Sequence, residues 1–314
     1  MQLEQIYKKY YKRLLYIPVA IFFVYIYLAF FWPGIRMGID FSGGILVSFA
    51  SDAPFDAESL EAAIKASTGS PDVRVTPTMT LEGGKTVYGG IVEVSYPKEA
   101  KKTPPSHEEA ITAREENREW LKNIVLSTIR KHVPNARDIV VREVTPTLGE
   151  RFWNTAVWIA IWAIILLTIT VLFFFRQAVP SIIMICSAIY DLLGMLALMA
   201  IFNIPLTLET ITILLMQVGY SIDTDVVLTT HLLKRKEGPP EKRAARAART
   251  GIHMTGTTFV AMLFVYAVGY LTRNITVMRI ANVMFFGLIS DLFVTWLMNA
   301  SLLLWWVKRH ASAA

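Results

Sequence analysis

Runs of about 20 apolar residues leave a chain few options, because in hydrocarbon every backbone N–H and C=O must find its partner within the protein. Such runs recur at residues 14–32, 153–175, 179–202, 206–233, 252–271 and 280–307. Each is too long for a barrel strand of about 9–11 residues, so the pattern predicts an α-helical polytopic membrane protein with six spans. The last run exceeds the bilayer thickness and must tilt or emerge past the interface. At 54% hydrophobic residues the chain is too apolar for an ordinary soluble domain of its length. Between the first and second runs lies a polar segment, residues 36–151, large enough for a small domain.

Basic residues in short connections set the orientation. Lys8, Lys9, Lys12 and Arg13 precede the first run, Lys234 to Arg249 fill the connection between the fourth and fifth, and Lys308 and Arg309 follow the sixth. The opposite side offers only Arg273 and Arg279 in its short connections. Both termini are therefore expected in the cytoplasm and the polar segment outside. Four parts follow: 1–35, the N-terminus and first span; 36–151, the extracytoplasmic domain; 152–307, a five-span bundle with a basic loop at 234–249; and 308–314, a cytoplasmic tail. The net charge of +6 then reflects topology, so no nucleic-acid partner is implied. The single Cys186 lies within a span, which excludes an intramolecular disulfide and a thiol–metal site. The first run is not a cleaved signal. It is too long, lacks an Ala-x-Ala site, and Trp32-Pro33-Gly34 leads directly into folded-looking sequence.

In the polar segment, residues 44–50 read as a strand and 56–67 as a helix with Asp56 as N-cap. Residues 72–77 and 86–96 read as strands split by a turn at Glu82-Gly83-Gly84. A loop at 101–106 precedes a helix over 107–131, with Trp120, Ile124 and Ile129 toward a core, and a strand over 138–144. The order βαββαβ predicts an α+β ferredoxin-like domain. His107 and His132 are too far apart to suggest a metal site, and the glycines before Lys85 lack the rest of a phosphate-binding loop. Such a domain binds a polymer or partner through its shape and exposed backbone edges.

The chemistry concentrates in the fourth run, where Asp223 and Asp225 interrupt an apolar helix. A carboxylate near the bilayer centre costs roughly 2.5–3.5 kcal/mol on insertion scales and is tolerated where it faces a bundle interior or wet cavity. Gln217, Ser221 and Asp225 recur every four residues, with Thr224 beside them, so one helix face is polar. Asp223 lies about 200° away around the helix. Arg249 and His253, at the cytoplasmic start of the fifth span, reach a similar depth, so a breakable carboxylate–guanidinium pair is expected between the consecutive helices. Asp191 and Asp291 fall mid-span in the third and sixth runs, where a structural hydrogen bond to Tyr, Ser or Asn is the first expectation. Glu209 should sit at the outer interface and His231 in solvent near the inner one. Thr255, Thr257 and Thr258, with Gly251 and Gly256, predict close packing of the fifth span.

Several segments resemble the SecF family of the SecD–SecF export machinery, in the resistance–nodulation–division superfamily. The segment 38–44, GIDFSGG, with Asp40, Gly43 and Gly44, is similar to the signature after the first span. Residues 144–150, with Pro146 and Gly149, resemble the motif leading into the second, from which Thr145 and Leu148 depart. Tyr190-Asp191 resembles a His-Asp pair of the third span. GYSIDTDVV at 219–227, beginning at Gly219, resembles the fourth-span motif, and 249–258 an Arg-to-Thr-Thr motif ending in Thr257 and Thr258. Aligned on Gly219, the aspartate of bacterial members falls on Thr224, and Asp223 matches the sister SecD motif. Arg249 is one residue out of register with the family's arginine. The Asp-Thr-Asp wording is archaeal in style.

The resemblance implies a multi-pass protein of the cell membrane's lipid bilayer that works with SecD beside the Sec translocon channel. It would use an ion gradient, the proton gradient first, to help draw secreted polypeptide outward. It implies no enzymatic reaction, cofactor or metal. Ion coupling would fall to Asp223, Asp225, Arg249, Asp191 and Asp291. Two other readings stay open: an intramembrane aspartyl protease built on Asp191 and Asp291, and a half-transporter of small molecules or lipids.

Overall fold

The computed structural model describes residues 2–70, 72–82, 85–96, 107–144, 146–235, 237–272 and 274–311. The elements begin with α1 (Gln2–Leu14), α2 (Tyr16–Phe30), α3 (Ile39–Ser42), β1 (Gly44–Ser51), α4 (Ala57–Thr68), β2 (Val73–Glu82) and β3 (Lys85–Ser95). They continue with α5 (His107–His132), β4 (Ala136–Val144), α6 (Pro146–Phe175), α7 (Ala178–Ile201), α8 (Leu208–Leu233) and α9 (Pro240–Leu271). The chain ends with α10 (Ile275–Phe293), a π-helical turn (Val294–Asn299) and α11 (Ala300–Ala311). These elements form two compact units, one of residues 37–154 and 267–275, the other of the remaining helices.

In the first unit a four-stranded sheet has the order β2-β3-β1-β4, and every adjacent pair is antiparallel. The helices α4 and α5 each carry the chain across one intervening strand. Alternate residues of β1, Ile45, Val47 and Phe49, meet Leu60 and Ile64 of α4 and Leu121, Val125 and Ile129 of α5. Burial of such side chains contributes about 1.5–3 kcal/mol each. Asp56 caps α4 by accepting the Glu58 N–H at 3.1 Å, as expected, and Gly69 ends it in the left-handed conformation. Gly44 has a steric reason: a Cβ there would strike the Val94 carbonyl across the β1–β3 pair.

Two expectations for this unit change. The strands β2 and β3 run farther toward the turn than predicted, while the turn glycines and the 101–106 loop lie outside the described residues. Trp120 is exposed, and the buried stripe of α5 is Leu121, Val125 and Ile129. That spacing of four keeps one face of the helix on the sheet and turns the bulky indole outward. His132 is exposed, bonding only the Thr128 carbonyl of its own helix.

The second unit is a helical bundle. Among the described residues, five helical segments are long and apolar enough to cross a membrane, or six if the bent α1–α2 pair counts as one. The first of the six predicted runs is shorter than expected: α2 has 15 residues, about 22 Å at 1.5 Å per residue. It packs on α7, where the Tyr190 hydroxyl donates to the Pro18 carbonyl at 2.8 Å. The predicted basic loop is largely helix, because α9 begins at Pro240, where the ring's fixed φ and missing N–H suit a first helical turn. Arg243 reaches back to donate to the Leu232 and Arg235 carbonyls, each at 2.8 Å, closing the end of α8. Half or more of the apolar stretch is buried in α7, α8 and the last helical segment, whereas α6 and α9 leave most of theirs uncovered.

Candidate functional site

The centre of the bundle is polar where α7, α8 and the π turn meet. Asp191, Asp225 and Asp291 are each 0–1% exposed. Three helices deliver them, and hydroxyl and amide side chains from the same helices surround them. Asp191 accepts from Ser221 through Oδ2 and from Ser290 through Oδ1 at 3.1 Å. Asp291 accepts through Oδ1 from Thr224 at 2.8 Å and Thr295 at 3.0 Å. Asp225 accepts through Oδ1 from Thr295 at 3.1 Å and Asn299 Nδ2 at 2.5 Å. Because one Thr295 hydroxyl touches both, the Asp225 and Asp291 Oδ1 atoms stand no more than about 6 Å apart, given bonds of 3.1 and 3.0 Å.

Local sequence explains the convergence. Gln217, Ser221 and Asp225 repeat every four residues along the buried face of α8. Asp291, Thr295 and Asn299 repeat the same step along the last span. Four residues advance an α-helix about 40° past a full turn, and the wider π turn takes back part of that drift. All three side chains therefore share one face. Glycines admit the contacts: a Cβ at Gly194 would lie 2.7 Å from the Tyr25 ring and 2.9 Å from Ser290 Cβ, and one at Gly287 would lie 2.7 Å from Gln217 Oε1.

The hydrogen count is short. A threonine hydroxyl carries one hydrogen, yet Thr224 faces both the Ser221 carbonyl and Asp291, and Thr295 faces both Asp225 and Asp291. Among the described residues, no basic side chain stands among the hydrogen-bond partners of the three carboxylates. Asp225 Oδ2 and Asp291 Oδ2 are buried without any partner, as are Asn299 Oδ1 and Ser187 Oγ. Ser187 lies beside Asp225 without forming a bond of ordinary geometry. Three full negative charges cannot share this space uncompensated, since unpaired buried charge is strongly destabilising. A cluster of this composition can take up positive charge.

The sequence of residues 124–309 matches the family described as protein export membrane protein SecD/SecF, C-terminal. A SecF protein-export membrane protein from Thermococcus gammatolerans is 33% identical over 94% of this chain and 85% of its own length. The chain belongs to the SecF family. Another SecF, from Methanolacinia petrolearia, is 38% identical over 172 residues, which span 55% of this chain and 61% of that relative. The crystal structure of a translocon-associated SecDF from Thermus thermophilus shares the fold, with a TM-score of 0.61 and 13% identity, over 95% of this chain and 58% of that one. The SecF family serves protein export at the membrane, so this chain is an export component and not an enzyme. The protease reading falls with that.

The SecF motif residues divide between two faces of the bundle. Asp225 enters the buried cluster, whereas Asp223 is exposed, and no described residue pairs with it. Arg249 is also exposed, and its side chain pairs with neither aspartate. The expected carboxylate–guanidinium pair is therefore not made, because α8 packs chiefly on α7, α11 and the π turn rather than on α9. Arg249 instead lines a shallow surface groove with Thr250, His253, Met254 and Thr257. Gly219 has no atom near its would-be Cβ, so it too faces outward, and so does Gly256. Gly251 alone meets the close-packing expectation fully, lying against the Trp296 ring. Thr255 is buried, while Thr257 and Thr258 bond the Met254 carbonyl of their own helix at 2.8 and 3.2 Å.

Other motif residues act structurally. Asp40 is half-buried in α3, which Gly43 closes with a positive φ. Pro146 opens α6 and Gly149 lies in its first turn. His231, expected in solvent, is only 9% exposed, because the end of α8 is covered by α9 and α11. Glu209 Oε1 accepts from Thr276 at 3.3 Å. Asp191 makes the expected bonds to Ser, whereas Asp291 bonds threonines, Thr224 and Thr295. Ser187, Thr295 and Asn299 went unread, although they stand four or eight residues from Asp191 or Asp291, a spacing that keeps them near one helix face.

Proposed function

We propose that this SecF family member works with SecD beside the Sec translocon, coupling an ion gradient to the outward passage of secreted polypeptide. The observation that carries the reading is the buried cluster of Asp191, Asp225 and Asp291 on separate helices, short of hydrogens and with no basic partner among the described residues. Taking up a proton or cation would change which of the shared hydroxyls each carboxylate holds, and with that the packing of α8 against α7 and the π turn. A gradient offers about 2.3 kcal/mol per charge per 100 mV, enough to bias a two-state helix shift. The outward residues Gly219, Asp223 and Arg249 fit a second role, meeting polar groups of SecD where the two subunits join in the bilayer. Asp223 and Arg249 thereby belong to the coupling set through the partner rather than through each other.

In this reading α2 is a sixth, short crossing, so that both termini lie in the cytoplasm, in keeping with the basic residues beside α1, α9 and α11. The four-part division at residues 35, 151 and 307 follows. The sheet order β2-β3-β1-β4 with two crossover helices supports a ferredoxin-like domain on the outer side. Its edge strands offer backbone groups to an extended polypeptide. Photo-crosslinking from exposed β4 positions such as Val140, in membranes with SecD, the translocon and a stalled secretory chain, tests this assignment. Adducts to the stalled chain and copurification with SecD are expected. Copurification with a small ligand in place of SecD would favour a half-transporter instead.

A further inference from the structure

Resting on the cytoplasmic placement of the N-terminus and going beyond the export role, we propose that α1 is an interfacial helix that selects anionic phospholipid of the inner leaflet. Lys9 and Arg13 hold the headgroup phosphates, and Ile6 and Tyr10 enter the acyl region beneath them. The helix meets α2 at 80°. A membrane-crossing α2 therefore leaves α1 close to the plane of the membrane. At about 22 Å, α2 is shorter than the roughly 30 Å of hydrocarbon, so the bend stands at the polar boundary and not beyond it in water.

The faces of α1 are sorted by chemistry. At about 100° per residue, Tyr7, Tyr11 and Leu14 fall within about 60° of helix surface. This stripe packs on α11 and the π turn. The buried Tyr7 hydroxyl donates to the Trp296 carbonyl at 2.9 Å. Lys308 Nζ, paired with Glu241 at 2.7 Å, lies 4.4 Å over the Tyr11 ring. These contacts fix how α1 is rotated about its own axis. Ile6 and Tyr10 then stand about 60–100° to one side of the stripe, 42% and 37% exposed although apolar. Next on that side come Arg13 and Lys9, both exposed, at about 120–160°. Lys8 points about 100° the other way. Bundle stripe, apolar flank and basic edge follow in the order of a helix sunk about 5–10 Å into the headgroup boundary. Among the described residues neither Lys9 nor Arg13 forms an ion pair, and Glu4 is the only acid of α1. Positive charge is thus left over where the leaflet supplies phosphates. An acidic protein surface would match the bases, but it would not lie at the depth of Ile6 and Tyr10. The exposed Tyr16, at the start of α2, adds the aromatic ring usual at that depth.

The test uses the full chain with SecD, carrying Cys186→Ser and an environment-sensitive dye on Ile6→Cys, in vesicles of phosphatidylcholine and phosphatidylglycerol in equal parts. Quenching by brominated phosphatidylglycerol, compared with quenching by brominated phosphatidylcholine, gives the relative affinity of the two lipids at α1. A preference for the anionic lipid is expected. Lys9→Gln and Arg13→Gln should each reduce it about fivefold, and the double variant should remove it. Lys8→Gln should reduce it least. Equal quenching by both lipids overturns the proposal, as does a preference that the double variant retains. A dye that neither lipid quenches, and that is shielded only when the translocon is added, overturns it in favour of a protein partner. Labelling of Gln5→Cys by a membrane-impermeant maleimide checks the placement of the N-terminus separately. Labelling from outside with the anionic preference retained upholds the lipid contact and removes the cytoplasmic placement. Labelling from the cytoplasm with no preference overturns the lipid contact and leaves the topology standing.

Discussion

Replacing Thr295 with valine deletes the hydroxyl shared by Asp225 and Asp291 while nearly preserving side-chain volume. The hydroxyl contacts Asp225 Oδ1 at 3.1 Å and Asp291 Oδ1 at 3.0 Å and is fully buried, so no solvent can replace it. A hydrogen bond to a charged group contributes about 1.5–3 kcal/mol in soluble proteins. Interhelical bonds in membrane bundles contribute less, about 0.6 kcal/mol on average and 1.7 at most. One hydrogen supplies one bond at a time, and each acceptor keeps a second donor: Asn299 Nδ2 at 2.5 Å for Asp225, and Thr224 at 2.8 Å for Asp291. Neither oxygen is orphaned, which places the loss at about 1–2 kcal/mol, or 5–30-fold in the unfolding equilibrium. Reversible denaturant-driven unfolding in mixed micelles, followed by tryptophan fluorescence, measures it. Thr272→Val serves as the comparison, since that hydroxyl is exposed and bonds only the Val268 carbonyl of its own helix. It should change stability by under about 0.5 kcal/mol. Equal effects of the two substitutions would refute the claim that Thr295 ties two helices through their carboxylates.

Gly194→Ala should destabilise the bundle by about 1–3 kcal/mol in the same assay, because the new methyl would press on Tyr25 and Ser290. Gly256→Ala, which meets nothing within 4 Å, should be neutral or stabilising by about 0.5–1 kcal/mol. In the sheet unit, burial and then the neighbouring Glu143 charge push the Tyr96 phenol up to about 12, and its hydroxyl donates to Glu143 at 3.2 Å. The raised value means that this contribution is complete below pH 10 and is lost as the pH climbs from 10 to 12. Chemical denaturation across that range should show wild type losing stability relative to Tyr96→Phe, whereas parallel curves would contradict the assignment.

Hydropathy made the membrane-crossing segments legible, since a bilayer leaves a plain length signature in any chain that spans it. The strands and caps of the sheet unit were also readable, through period-two alternation in β1 and the Asp56 cap of α4. The site was half legible. The polar stripe of Gln217, Ser221 and Asp225 named one wall from α8 alone. The other walls depend on which helix packs against which, and chain order misled there: α9 follows α8 but does not bring Arg249 to the aspartates. The π turn was invisible because no local propensity marks the segment Val294–Asn299. Trp120 shows the same limit on a small scale, for periodicity alone cannot fix which of two adjacent residues faces a core.

Gradient-stimulated export, measured in vesicles containing SecD and the translocon, puts the buried cluster itself to the test through Asp225→Asn. The account predicts that the substitution abolishes the stimulation while leaving assembly with SecD intact. Stimulation equal to wild type in correctly assembled Asp225→Asn and Asp291→Asn complexes would contradict it.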